Sequence, residues 1–182
     1  MKWILTGTFA FVLFILSDVQ RVRGKKGLPL FFTGCAVLTV SSAALLFSGD
    51  LSEKRLAFTI PVILGTAALI YTLFFALPAK DAYAASDGAP LCTKGLYGRC
   101  RHPGFWPFAF TALCAGAWAA DFAAWVGMLL FTALDFFYIV LQDRYFFPRY
   151  LAGYEEYRRT TPFLLPAAGR KKAAQSSGKR EK

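Results

Sequence analysis

FWPFAFTALCAGAWAADFAAWVGMLLFTALDFFYIVL, the stretch from Phe105 to Leu141, decides the fold. Two apolar runs, Phe105 to Ala120 and Phe122 to Leu141, are parted by one charged residue, Asp121. Each approaches the roughly 20 apolar residues that an α-helix needs to cross a hydrocarbon core of about 30 Å. Asp121 allows almost no loop, so the runs predict a tight antiparallel pair of helices.

Working outward, the N-terminal side holds two more such runs, Leu28 to Phe47 and Leu56 to Leu77, and a marginal one, Trp3 to Leu16. The first begins like a signal peptide, with Lys2 before an apolar core. It leads into Ser17-Asp18-Val19-Gln20-Arg21 with no small-x-small cleavage site, so it is read as a retained, short first span. A hydrophobic share of 56% against 18% charged residues agrees with a chain that lives in a bilayer. The expected fold is all-α, a polytopic membrane helical bundle of about five transmembrane helices with a C-terminal helical hairpin. Residues 1–78 carry three spans, 79–166 a connector, the hairpin and a C-terminal segment, and 167–182 a disordered basic tail.

Charge sets the expected topology. With the N-terminus outside, the cytoplasmic segments hold Arg21, Arg23, Lys25 and Lys26, then Lys80, Lys94, Arg99 and Arg101, then every Lys and Arg from Arg144 onward. Lys2, Lys54 and Arg55 fall on the other side. That asymmetry follows the positive-inside rule, and the net charge of +10 is explained by insertion and contact with anionic lipid, without nucleic acid. Cys35, Cys92, Cys100 and Cys114 form no CxxC pair, and one histidine offers no zinc-ligand spacing, so neither disulfide nor metal is expected.

The connector before the hairpin is too long for a turn, and it is broken by Gly88-Ala89-Pro90 and Lys94-Gly95. It ends in a charged corner, Tyr97-Gly98-Arg99-Cys100-Arg101-His102-Pro103, which contains the single histidine. Pro103 suits the first turn of the next helix. Arg99 and Arg101 also read as head-group anchors of that helix. Beyond Leu141 come Gln142-Asp143, then Tyr150-Leu151, Tyr154-Glu155-Glu156-Tyr157 and a close on Thr161-Pro162-Phe163-Leu164-Leu165-Pro166. Asp135 stands inside an apolar run. On a helix it shares a face with Tyr138 and Gln142 and comes near Asp143, and an ionisable residue at such depth is a functional candidate or a buried structural partner. Trp3, Trp106, Trp118 and Trp125 lie near span ends, as interfacial indoles do.

The pattern Gly95-x-Tyr97-x-x-x-Arg101-His102-Pro103-x-Phe105, followed by two apolar segments and a Tyr-rich tail, resembles the isoprenylcysteine carboxyl methyltransferase and phospholipid methyltransferase family. The likeness covers about Leu91 to Pro166. It implies a cytoplasmic pocket for S-adenosyl-L-methionine and methyl transfer to an amphiphilic acceptor, a phospholipid head group or an isoprenoid carboxylate. Carried onto this chain, it implies His102, Arg101 and Asp143 as catalytic residues. It also implies a cofactor cradle of Gly95, Tyr97, Arg101, His102, Pro103, Gln142, Asp143, Tyr154 and Tyr157.

The chain departs from the family where Gln142-Asp143 replaces a Glu-Glu pair, Tyr150-Leu151 replaces Phe-Gly, and Phe163 stands where many members carry Arg. Two other classes stay open at this point: a membrane reductase of the sterol type using NADPH, whose motif also contains Arg-His, and a non-catalytic protein that keeps the fold. Length and topology suit a prokaryotic inner membrane, with the bilayer and a lipid or isoprenoid substrate as partners.

Overall fold

The computed structural model describes residues 1–48, 54–76 and 91–165. The Gly88-Ala89-Pro90 break, Lys80, Pro166 and the tail 167–182 lie outside them. Among the described residues there is no β-strand. The order is α1 (Lys2–Val22), α2 (Leu28–Leu46), a 3₁₀ turn (Leu56–Phe58) leading into α3 (Thr59–Ile70), a π-turn (Tyr71–Phe75), α4 (Phe105–Ala119), α5 (Phe122–Leu141), a second π-turn (Gln142–Phe146), α6 (Phe147–Tyr150) and α7 (Tyr154–Thr160).

Four helical segments are long and apolar enough to cross a membrane: Lys2–Val22, Leu28–Leu46, Leu56–Phe75 and Phe122–Tyr150. The expected lengths change places at two points. The marginal first run is a helix of 21 residues, because it continues past its apolar stretch to Val22 through Asp18 and Gln20. The run after the corner is a helix of only 15 residues, about 22 Å at 1.5 Å per residue, which is less than the hydrocarbon thickness. It begins at Phe105, where the apolar run begins, and the turn at Pro103 and Gly104 precedes it, so Pro103 is not in the first helical turn. Pro107 sits there instead, where its missing N–H leaves no intrahelical bond unmade.

The predicted hairpin is present. Ala120 takes a left-handed conformation (φ 53°) that ends α4, and the Asp121 carboxylate caps α5 by accepting from Ala124 N at 2.9 Å. The far end of α4 is tied to α3: Trp118 Nε1 donates to Thr59 Oγ1 at 3.1 Å, and Lys54 Nζ donates to Ala119 O at 3.2 Å.

α1 packs along both α2 and α5. Phe11, Phe14, Phe131 and Met128 fill the seam together with Ala10, Ala115 and Ala124. Small residues let backbones approach where lipid offers no hydrophobic drive for association. A Cβ on Gly7 would lie 2.2 Å from the Phe131 ring, so this glycine is what admits that ring to the seam.

The bundle has two unlike ends. One collects the α1–α2 turn with exposed Arg23, Lys25 and Lys26, both π-turns, the corner, and the segment from Arg144 to Thr161. We call it the basic end. The other holds Lys2, Lys54 and Arg55.

Candidate functional site

The corner is tied to the C-terminal segment by two backbone hydrogen bonds: Arg101 N donates to Pro162 O at 3.0 Å and His102 N to Phe163 O at 3.2 Å. That pairing sends both side chains toward the end of α5. Arg101 Nε and Nη2 donate to Asp143 Oδ1 and Oδ2 at 2.7 and 3.1 Å, a fork-on-carboxylate pair. Its Nη1 donates to Arg158 O at 2.7 Å and Thr161 O at 2.8 Å. Four donations leave Arg101 little capacity for a ligand, so it acts as a clamp between corner, π-turn and C-terminal segment.

Asp143 is brought there by the second π-turn. Pro148 cannot donate to the carbonyl four residues back and its ring crowds it, which opens the helix ahead of it. Asp143 Oδ1 also accepts from the Tyr154 hydroxyl at 2.6 Å. Arg158 Nε is 3.8 Å from Oδ2 and shares its charge between Asp143 and Glu155.

His102 stands against this clamp without joining it. Its Nε2 is 3.6 Å from Asp143 Oδ1, beyond hydrogen-bond reach, and is buried with no hydrogen-bond partner. The ring stacks on Phe147 (centroids 5.6 Å, interplanar angle 9°) and meets Phe163 edge-on at 5.1 Å. At 7% exposure, burial is the largest influence on the imidazole and lowers its pKa, with Asp143 pulling upward and Arg101 downward.

The tyrosines are tied into the same frame. Tyr157 donates to Tyr97 O, and Tyr97 Oη donates to Thr72 O at 3.2 Å, which links the corner to the π-turn after α3. Burial pushes the Tyr154 and Tyr157 phenols upward. Gly95 makes a left-handed turn (φ 61°) ahead of the corner, and Pro103 at the corner's other end is buried.

The structure thus gathers Arg101, His102, Asp143 and Tyr154, with Tyr97 and Tyr157 at the edge. Gln142 is not among them. Its amide donates to Asp18 Oδ2 at 2.9 Å and to Tyr138 Oη at 2.7 Å, on the α1 side. Asp135 does not belong to either group, and among the described residues it makes no hydrogen bond or ion pair. Arg99, Glu155 and Glu156 are exposed.

Asp18 escaped the sequence reading. The available signal was its spacing: Phe11, Phe14 and Asp18 recur on one helical face, and that face is buried. Among the described residues no group of His, Cys, Asp and Glu could hold a metal ion, and the four cysteines are unpaired. Comparison with protein families, curated proteins and solved structures returns no match to this chain.

Proposed function

We propose that the protein is a membrane-integral methyltransferase that uses S-adenosyl-L-methionine on an amphiphilic acceptor, with its site at the basic end on the cytoplasmic face. The observation that carries the reading is His102 Nε2, a polar atom buried with no hydrogen-bond partner, 3.6 Å from Asp143 Oδ1, at the position the family pattern reserves for a histidine. Such an atom is rare in a folded protein, and a ligand is one of its ordinary explanations.

The residues fit the cofactor, with roles redistributed from those the sequence implied. S-adenosyl-L-methionine, when bound, supplies a methyl group activated on a cationic sulfur. Arg101 and Asp143 bind each other and form the frame. His102 is the group left to meet the cofactor's carboxylate or a hydroxyl. Asp143 Oδ2 accepts one hydrogen bond, at 3.1 Å, with Arg158 Nε 3.8 Å away, and so has acceptor capacity left for an ammonium. Phe147, Phe163 and the tyrosine rings keep the corner dry, which methyl transfer needs more than it needs a strong acid or base. A carboxylate acceptor requires no base at all. An amine acceptor must lose a proton, and neutral His102 is placed to take it.

Binding settles the reading. Calorimetry on the detergent-purified protein is expected to show uptake of S-adenosyl-L-methionine, weakened in His102→Ala. Uptake of NADPH alone would sink it in favour of the reductase class. If neither binds to protein that keeps its lipid, the internal pairing of Arg101 with Asp143 makes the corner a structural joint.

A further inference from the structure

Asp18 lies at the basic end of α1, 3% exposed, and belongs to no part of the corner. Its carboxylate accepts from the Tyr138 hydroxyl at 2.8 Å, Gln142 Nε2 at 2.9 Å and the Tyr150 hydroxyl at 3.2 Å. The Arg21 guanidinium lies over the Tyr150 ring, 5.9 Å from its centroid. The three donors bracket the second π-turn: Tyr138 is one helical turn ahead of it, Gln142 opens it, and Tyr150 ends the helix that follows.

A buried carboxylate costs desolvation that an apolar side chain in the same seam would avoid, so its packing alone does not account for it. What this one does is hold a turn. Gln142 and Asp143 are consecutive, yet Gln142 faces α1 while Asp143 faces the corner. A π-turn carries one residue more than the α-helix around it, so its position along the helix sets the rotation of the side chains that follow. If it moved, Asp143 would rotate away from His102, because Arg101 is separately anchored on the carbonyls of Arg158 and Thr161.

We propose that Asp18 is a positioning residue for the corner: through Tyr138, Gln142 and Tyr150 it fixes the rotation of the π-turn and so the place of Asp143 against His102. The inference deepens the function proposed above, and its bearing on the cofactor rests on that reading. The positional claim does not.

His102 is the only histidine, so its imidazole gives one set of nitrogen-15 resonances in a micelle, and these report on the charge facing Nε2. The charged groups around it are Asp143 of the π-turn and Arg101 of the corner, with Arg158 of α7 reaching it through Asp143. Asp18→Asn and Asp18→Ala are expected to move the Nε2 resonance in the direction of Asp143→Asn, by about half as much or more. Phe11→Leu, which loosens the same seam through a ring packed on Phe14 and Phe131, is expected to leave it in place.

The proposal is overturned if folded Asp18 variants keep the wild-type resonance, or if Phe11→Leu moves it equally. Should Asp18→Ala fail to fold, Gln142→Leu removes the link to the π-turn and is judged by the same shift. A second arm measures S-adenosyl-L-methionine affinity, expected to fall about tenfold in Asp18→Asn, an effect typical of groups that orient a ligating residue. A resonance that moves in protein that binds no cofactor would remove the proposed function and leave the positioning role standing.

Discussion

Arg101 grips Asp143 through two parallel hydrogen bonds, at 2.7 and 3.1 Å, while its remaining nitrogen holds two backbone carbonyls of the C-terminal segment. One side chain thereby fastens three stretches that are far apart in sequence: the corner, the end of α5 and the chain around α7. Both members are buried, with side chains 8% and 5% exposed, so the geometry of the pair and not its charge alone decides the stability of the basic end.

Arg101→Lys is therefore not conservative. An ammonium cannot span a carboxylate and two carbonyls on opposite sides, and Asp143 would stay buried with the Tyr154 hydroxyl as its remaining short partner. A loss of about 3 kcal/mol is expected, toward the lower end of what removing one member of a buried pair costs. Thermal unfolding in detergent checks it, and a lysine variant that melts with the wild type would refute the clamp.

His102 links stability to pH. Its folded-state pKa lies below the ordinary histidine value, so the unfolded chain binds the proton more readily than the folded one. The stabilisation is full above about pH 6.5 and is lost as pH falls from there toward the folded pKa. Between pH 7 and pH 5 the melting temperature should decline. In His102→Gln that part of the decline should vanish, and an unchanged slope would show that other groups cause it.

The hairpin was legible because a lone Asp between two apolar runs is both a break and a helix cap. The place of Pro103 was not. Pro103 has the right chemistry for a first turn, but the N–H groups of Arg101 and His102 are taken by Pro162 O and Phe163 O, and Pro103 and Gly104 form a turn before the helix begins at Phe105. Arg101 and Asp143 were readable as members of one site, but their grip on each other was not, because the resemblance gives each of them to the cofactor. Helical periodicity rightly put Gln142 on the Tyr138 face, and its hydrogen bond to Tyr138 follows that spacing; its place in the cradle came from the resemblance alone, and the same face carries it to Asp18 instead. Asp18 looked like the end of an apolar segment, yet helices propagate by hydrogen bonding and not by apolarity, and its partners come from a region more than a hundred residues away.

Gly27 offers a test of the α1–α2 junction that places Asp18. A Cβ there would lie 2.2 Å from Ser17 O, a backbone atom with no freedom to withdraw, and Ser17 Oγ donates to Gly27 O at 2.7 Å across the same contact. Gly27→Ala is expected to cost about 2–3 kcal/mol by overpacking. The melting temperature in detergent should fall accordingly, and a neutral substitution would mean that the turn is more open than described.

The proposed orientation rests on the charges at the two ends, and it can be tested without any ligand. Arg23, Lys25 and Lys26 are exposed at the basic end with Arg144, Arg149 and Arg159, whereas Ser48 lies at the opposite end, beyond α2. Holding a cluster of cations on the cytoplasmic side is favoured by the insertion machinery and by anionic lipid, and each cation near that surface contributes about 1 kcal/mol. In a chain whose four cysteines are replaced by alanine, a membrane-impermeant maleimide added to intact cells should label Ser48→Cys. Lys25→Cys should react only after the membrane is opened. Labelling of position 25 alone in intact cells would invert the topology and put the corner outside, where cytoplasmic S-adenosyl-L-methionine cannot reach it. Labelling of both would mean that α2 does not cross.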